Sequence, residues 1–405
     1  MLANLQVIRT KTPFHEGVEK EAAKDAGDKV NRILVLCFLL SGISYFSSAP
    51  VCESAPRKGA VANLVESASQ GQAEDAGPFT LIQTIGMVDV PQFPFTDHLA
   101  VDVNGHRVFA TPQARKSVQV FDLNTGKLLH ELAGMGNPHS ILYRSDLNRI
   151  YVSDGEPGLV RIYDGRDYSP LQTVRLPLDA DNFGFDSATK YLYVSTSGAP
   201  ENLDYSRLNV IDTTAGKLVG EIKIPGQIIE QMALESSGSR IYINVTSTNE
   251  IAVLDRQSRT VITRWPITKA ERNFSVALDE VHHRLFVGCR NSDRQGGMNG
   301  VLVVFDTQAA KEIATLPIGG WIDNLYFDPA NGRIYATCGT GHVYVYHEDS
   351  PDRFELVGKV ETALLARTGL LVPELDRFFV SVPHIGSQAS RILIFQIGRS
   401  DAHSH

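Results

Sequence analysis

The feature that most constrains the fold of this chain is a segment written seven times at intervals of 42 to 49 residues. The copies align without gaps on one aromatic in a β-rich tetrad, mostly preceded two residues earlier by a basic residue. These aromatics are Phe109, Tyr151, Tyr193, Tyr242, Phe286, Tyr335 and Phe379, spaced by 42, 42, 49, 44, 49 and 44 residues. That is the period of a four-stranded propeller blade, because one such sheet cannot bury both faces until neighbours stack on it. The expected fold is therefore all-β, a seven-bladed β-propeller of four-stranded antiparallel blades over residues 78–399.

Each copy parses into four strands. In the fourth, MALE (232–235), RIYINV (240–245), EIAVLD (250–255) and TVITRWPI (260–267) are separated by turn residues. The middle two alternate weakly between apolar and polar, as expected when both sheet faces are covered. Asp122, Asp164, Asp212, Asp255 and Asp306 close the third strand in five copies, where a carboxylate can accept backbone N–H groups of the turn. His347 and Gln396 take that place in copies six and seven. The seventh copy stops after three strands, and an orphan strand, FTLIQTIGM (79–87), precedes the first copy. The N-terminal strand should complete the last blade and close the ring, which removes an exposed sheet edge. Cys289 and Cys338 occupy equivalent places in adjacent copies, so they should point the same way rather than at each other.

The tetrads RIYVSD (149–154), YLYVST (191–196) and RIYINV (240–245), each followed by a strand ending in IYD, VID or VLD, resemble YVTN-type β-propeller repeats of the WD40-like superfamily. The resemblance covers about residues 79–399. It implies a seven-bladed propeller, often exported in bacteria and archaea, and it carries over no catalytic residue. Related propellers include lactone hydrolases and surface-layer proteins.

Upstream of the repeats the chain changes character. Lys29 and Arg32 precede an apolar run, Ile33 to Leu40, that fades into small residues, the layout of a signal peptide over 30–56. Residues 1–29 are a charged leader that is odd before such a signal, 57–77 read as a disordered linker, and 400–405 as a flexible tail. The expectation is a periplasmic or secreted protein without a membrane span in its mature form, with an uncleaved anchor as the alternative. A net charge of −8 argues against nucleic acid as the main partner. H-E-x-x-H, Walker and G-x-S-x-G patterns are all missing from the sequence.

Function must then sit where the repeat is broken. The loops between second and third strands vary from CGTGH in the sixth copy to STSGAPENLDYSR (195–207) in the third and CRNSDRQGGMNG (289–300) in the fifth. Such insertions collect on a binding face, here for a protein, peptide or glycan. On that face the first strands begin. Eleven residues before each aromatic stand His98, Ser140, Asn182, Gln231, Ser275, Asn324 and Thr368, and one residue earlier stand Asp97, His139, Asp181, Glu230, Phe274, Asp323 and Arg367. The first row is polar in every copy, so a polar ring should line one mouth of the central channel. Asp181, Glu230 and Asp323, with Asn182 and Asn324, offer hard oxygens for Ca²⁺ or a small polar ligand. The alternative is a water-filled lining that only satisfies polar groups.

Two functional readings follow. The favoured one is an exported, non-enzymatic, monomeric binding or scaffold module with no assigned catalytic residue. The other is a metal-assisted hydrolase of the sugar-lactonase type, with the cation on the carboxylates and His139 or His98 as general base.

Overall fold

The computed structural model describes residues 77–93, 95–290 and 298–398. The leader, the signal, the linker except Gly77, the tail, and part of the 289–300 loop lie outside the described residues. The described chain forms seven four-stranded sheets, and in six of them the strands follow one another in sequence order, antiparallel throughout. The fourth blade consists of Met232–Leu234, Arg240–Val245, Glu250–Asp255 and Thr260–Pro266, close to the segments expected from the repeat. Helical structure among the described residues is limited to three short 3-10 turns, at Gln113–Arg115, Ala199–Glu201 and Pro373–Leu375. None of it is long and apolar enough to cross a membrane.

The repeat works because the core lies in the seams between blades. All seven aligned aromatics are at most 2% exposed. Tyr242, Ile251 and Val253 of the fourth blade pack with Val276, Leu285, Val287, Val303 and Phe305 of the fifth. Covered on both sides, the middle strands are apolar almost throughout, and Arg240–Val245 is buried after its first residue. The outermost strands face solvent, so Pro170–Arg175 buries only Val174. The strand-closing aspartates act as expected: Asp122 Oδ1 accepts the Thr125 N–H at 2.7 Å, Asp212 Oδ1 that of Thr214 at 2.8 Å, and Asp306 Oδ1 that of Gln308 at 2.8 Å.

The seventh blade is closed by the N-terminal strand. Phe79–Gly86 pairs antiparallel with Arg391–Ile397, from Phe79 opposite Ile397 to Gly86 opposite Arg391, with one irregularity between Leu81 and Gln83. Phe79 stacks on Tyr335, Phe378 and Phe395 at 5.3, 5.2 and 5.7 Å, so it reaches the sixth blade as well as the seventh. Cys289 and Cys338 are both buried and free.

Candidate functional site

The channel mouth is assembled by the starts of the first strands. Four of these strands, Pro138–Arg144, Ala180–Asp186, Asn273–Asp279 and Ile322–Asp328, slip register within their opening residues. The slips fall at 138–141, 180–183, 273–275 and 322–324, where the polar rows lie. A bulge re-aims side chains that strict alternation would send into the flanking seams. The second strands stitch these starts to the next blade. Thr111 Oγ1 donates to the carbonyls of His98 and His139 at 2.9 and 3.0 Å, Ser153 Oγ to that of Asp181 at 2.8 Å, and Asn244 Nδ2 to that of Phe274 at 2.9 Å. These residues lie two positions after the aligned aromatics, a place that is polar in six copies and Gly288 in the fifth. That row is legible in the repeat, where it lies within or just after the second strand.

Across the ring, His98 Nε2 lies 3.5 Å from the side-chain amides of both Gln231 and Asn324. The first blade thus meets the fourth and the sixth at the centre. Beyond this contact is a cavity of about 260 Å³. His98, Asn182, Gln231 and Asn324 line its polar end, and Phe183, Met232, Val276 and Leu325 contribute to its apolar wall.

Above that layer the mouth divides into two networks. In the first, the Asp97 carboxylate pairs with the Nδ1 of His98 and, at 2.8 Å, the Nδ1 of His139, and accepts from Gln113 Nε2 at 2.9 Å. Asp181 Oδ1 lies 3.4 Å from His139 Nδ1, and Asn182 Nδ2 donates to Asp181 Oδ2 at 3.1 Å and lies 3.5 Å from Glu230. In the second, Arg290 Nη2 donates to Asp323 Oδ1 at 2.7 Å and its Nε to the Ile322 carbonyl at 2.8 Å. The Arg290 guanidinium stands 3.1 Å from the Phe274 ring centroid, and that of Arg367 stands 3.9 Å from Phe95. Arg367 also approaches Asp323 at 3.8 Å, and Thr368 Oγ1 donates to the other Asp323 oxygen at 3.0 Å. Gln113, Arg290, Phe95 and Asn137, whose Nδ2 lies 2.8 Å from His139 Nε2, come from loops outside the aligned rows, which is why the repeat does not single them out.

The electrostatics follow from burial and pairing. Burial alone would lower both imidazoles, yet Asp97 lifts His98 to about 9, and Asp181 with Asp97 lifts His139 to about 10. Against the opposing effect of its own burial, the two imidazoles hold Asp97 far below the usual carboxylate range. Asp181 is pushed up to about 6 by burial, partly offset by His139. Glu230 is pushed well above its ordinary value by burial and the Asp181 charge. Burial and the neighbouring Arg367 lower Arg290 to about 9.

Among the described residues, Asp181, Glu230 and Asp323 do not form one cluster of ligand atoms. The mouth residues whose ligand atoms lie within 4.8 Å of one another are Asp97, His139 and Asp181. Asp323 is instead committed to arginine. Among the described residues, the mouth sets the rings of His98 and His139 against Asp97, and Arg290 and Arg367 against Asp323.

The fold defines the class, a seven-bladed β-propeller. No protein-family model matches the chain. Over 101 residues it is 30% identical to the uncharacterized protein YncE of Salmonella typhi, a match covering 25% of this chain and 28% of that protein. Over 204 residues it is 26% identical to the uncharacterized protein YwhL of Bacillus subtilis, covering 47% of this chain and 43% of that one. A match to THO complex subunit 3 of Arabidopsis thaliana is 25% identical over 125 residues and covers 31% and 39% of the two chains. The chain thus spans less than half the length of the curated relatives it matches. Among solved structures it is similar to a chain of Kuenenia stuttgartiensis hydrazine synthase, with a TM-score of 0.61 and 18% identity, covering 74% of this chain and 95% of that one. It is also similar to a chain of a mitotic checkpoint complex, with a TM-score of 0.64 and 13% identity, covering 88% and 98%. At these identities the likeness is one of fold alone.

Proposed function

We propose that this propeller is a non-enzymatic binding or scaffold module that engages a protein, peptide or glycan through the face bearing the second-to-third-strand loops. The observation that carries the reading is the pairing of the Asp97 carboxylate with the Nδ1 of both His98 and His139. A general base must arrive unprotonated, whereas the carboxylates around these imidazoles raise them to about 9 and about 10. The cation that a lactonase-type mechanism would need also loses Asp323, which Arg290 holds at 2.7 Å. The charged pairs rigidify the mouth and leave the surrounding loops to make variable contacts. The same reading takes the repeat as YVTN type and the protein as an exported monomer. Export rests on the sequence of 30–56 and is checked by the N-terminal sequence of the mature chain.

The test is affinity capture with three proteins: the intact chain, a variant whose 197–204 loop is replaced by a short turn like 339–341, and a variant carrying Ser258→Lys on the opposite face. A partner kept by the first and third and lost by the second supports the reading. Lactone hydrolysis that requires an added divalent cation and disappears in Asp181→Asn overturns it.

A further inference from the structure

At the end of the ring opposite the mouth, six of the seven first strands end on the residue seven before the aligned aromatic. In the third and fifth blades this residue is Asp186 and Asp279. The residue that reaches it from the next blade follows the third-strand position that pairs with the start of the second strand. Register sets Arg240 opposite Asp255 in the fourth blade and Arg333 opposite His347 in the sixth, so Arg256 and Glu348 are structurally equivalent. Between the third and fourth blades the resulting pair is an ordinary ion pair, Arg256 Nη1 to Asp186 Oδ2 at 3.0 Å. Between the fifth and sixth blades the same geometry sets Glu348 against Asp279, two carboxylates.

The carboxylates are joined by one imidazole. His282 Nδ1 lies 2.6 Å from Asp279 Oδ2 and 3.8 Å from Glu348 Oε2. Ligand atoms of all three residues lie within 4.8 Å of one another. The Glu348 side chain is 2% exposed, and both of its oxygens are buried without a hydrogen-bond partner. Arg284 is committed elsewhere, to Asp352 at 2.8 Å, to Asp306 at 3.2 Å and to the carbonyls of Pro351 and His283. The other Asp279 oxygen is used by the turn, accepting the N–H groups of Val281 and His282 at 3.0 and 3.2 Å. A buried carboxylate without donors is unfavourable unless it takes up a proton or a positive charge meets it, and burial with the Asp279 charge pushes Glu348 up to about 7. His282 is half-exposed, so solvent reaches the cluster through it.

We propose that this seam is a divalent-metal site in which Asp279 Oδ2, His282 Nδ1 and a Glu348 oxygen bind one Zn²⁺-type cation, with water completing the coordination. Two carboxylates and one imidazole suit zinc and its neighbours in the first transition row, whereas calcium takes oxygen ligands only. The ion would stand between Nδ1 and the two carboxylates and supply the positive charge that Arg256 supplies two blades earlier. The site is separate from the channel mouth and does not depend on the binding role proposed above.

The experiment is a Zn²⁺ titration of chelator-treated, full-length protein in competition with a chromophoric chelator. Co²⁺ absorption then reports the ligand field. His282→Ala removes the exposed ligand from a surface turn, and Glu348→Gln keeps the volume of the buried one. The expected result is that each variant binds one Zn²⁺ fewer per chain than the parent and loses the Co²⁺ spectrum, while His106→Asn in an exposed turn of the first blade leaves both unchanged. A parent that binds no Zn²⁺, or variants with the parent's stoichiometry and affinity, would overturn the assignment.

Discussion

Replacing Asp97 by Asn removes the carboxylate that pairs directly with both imidazoles of the channel mouth. The carboxylate is 7% exposed and pairs with His98, His139 and Gln113. Both histidines have folded-state pKa values above the ordinary 6.5, about 9 for His98 and about 10 for His139, despite burial that acts the other way. A group raised in this way contributes stability that is fully present below about 6.5 and is lost as pH rises through the folded value. Asp181, pushed up to about 6 by burial, acts in the same direction at lower pH. By linkage, at pH 7 the contribution is on the order of 4 kcal/mol for His139 and on the order of 3 kcal/mol for His98. Asp181 supports His139 as well, so the amide removes only part of this. The expected loss is roughly 3–5 kcal/mol, the usual effect of removing one partner from a buried ion pair. Asn has nearly the same shape, so no cavity confounds the result. Urea unfolding between about pH 6 and about pH 9 should show the parent weakening steadily as pH rises and the variant following a flatter line. A variant within about 0.5 kcal/mol of the parent at pH 7, the range of an ordinary surface substitution, would refute the reasoning. So would the same pH slope in both proteins.

The closing strand predicts that Phe79→Ala, which removes a ring stacked on Tyr335, Phe378 and Phe395, destabilises the fold by roughly 3–5 kcal/mol in thermal unfolding. A negligible change would mean that the N-terminal strand lies outside the cooperative unit. Because Asp323 is held by Arg290 and burial raises Glu230 well above its ordinary value, saturating Ca²⁺ is expected to leave the melting temperature unchanged. A stabilisation of about 2.7 kcal/mol at a hundred times the dissociation constant, abolished by Glu230→Gln, would restore a calcium site over Asp181, Glu230 and Asp323.

The sequence by itself determined the architecture, because the signals for it are local. The aromatic of the second strand, the aspartate that ends the third and the turn between them lie within one copy, and repetition multiplies a weak pattern into an unambiguous one. Closure was legible for the same reason, since an unpartnered strand at one end matched a missing strand at the other. The polar rows could also be counted from the repeat, down to His98, Asn182, Gln231 and Asn324, which line the cavity. Only the tertiary structure decided which of these groups meet. His98 contacts Gln231 and Asn324 across 133 and 226 residues, and register slips at the strand starts set where the side chains of the rows are aimed. Arg290 takes Asp323 from a loop that no alignment of strands could place, and Glu348 faces Asp279 because a seam, not a copy, brings them together. Alternation and turn chemistry act over a few residues, whereas charge pairing acts through space. The ring closure that brings distant blades within a few ångströms is therefore what turned a row of polar letters into two salt-bridged networks and a carboxylate pair.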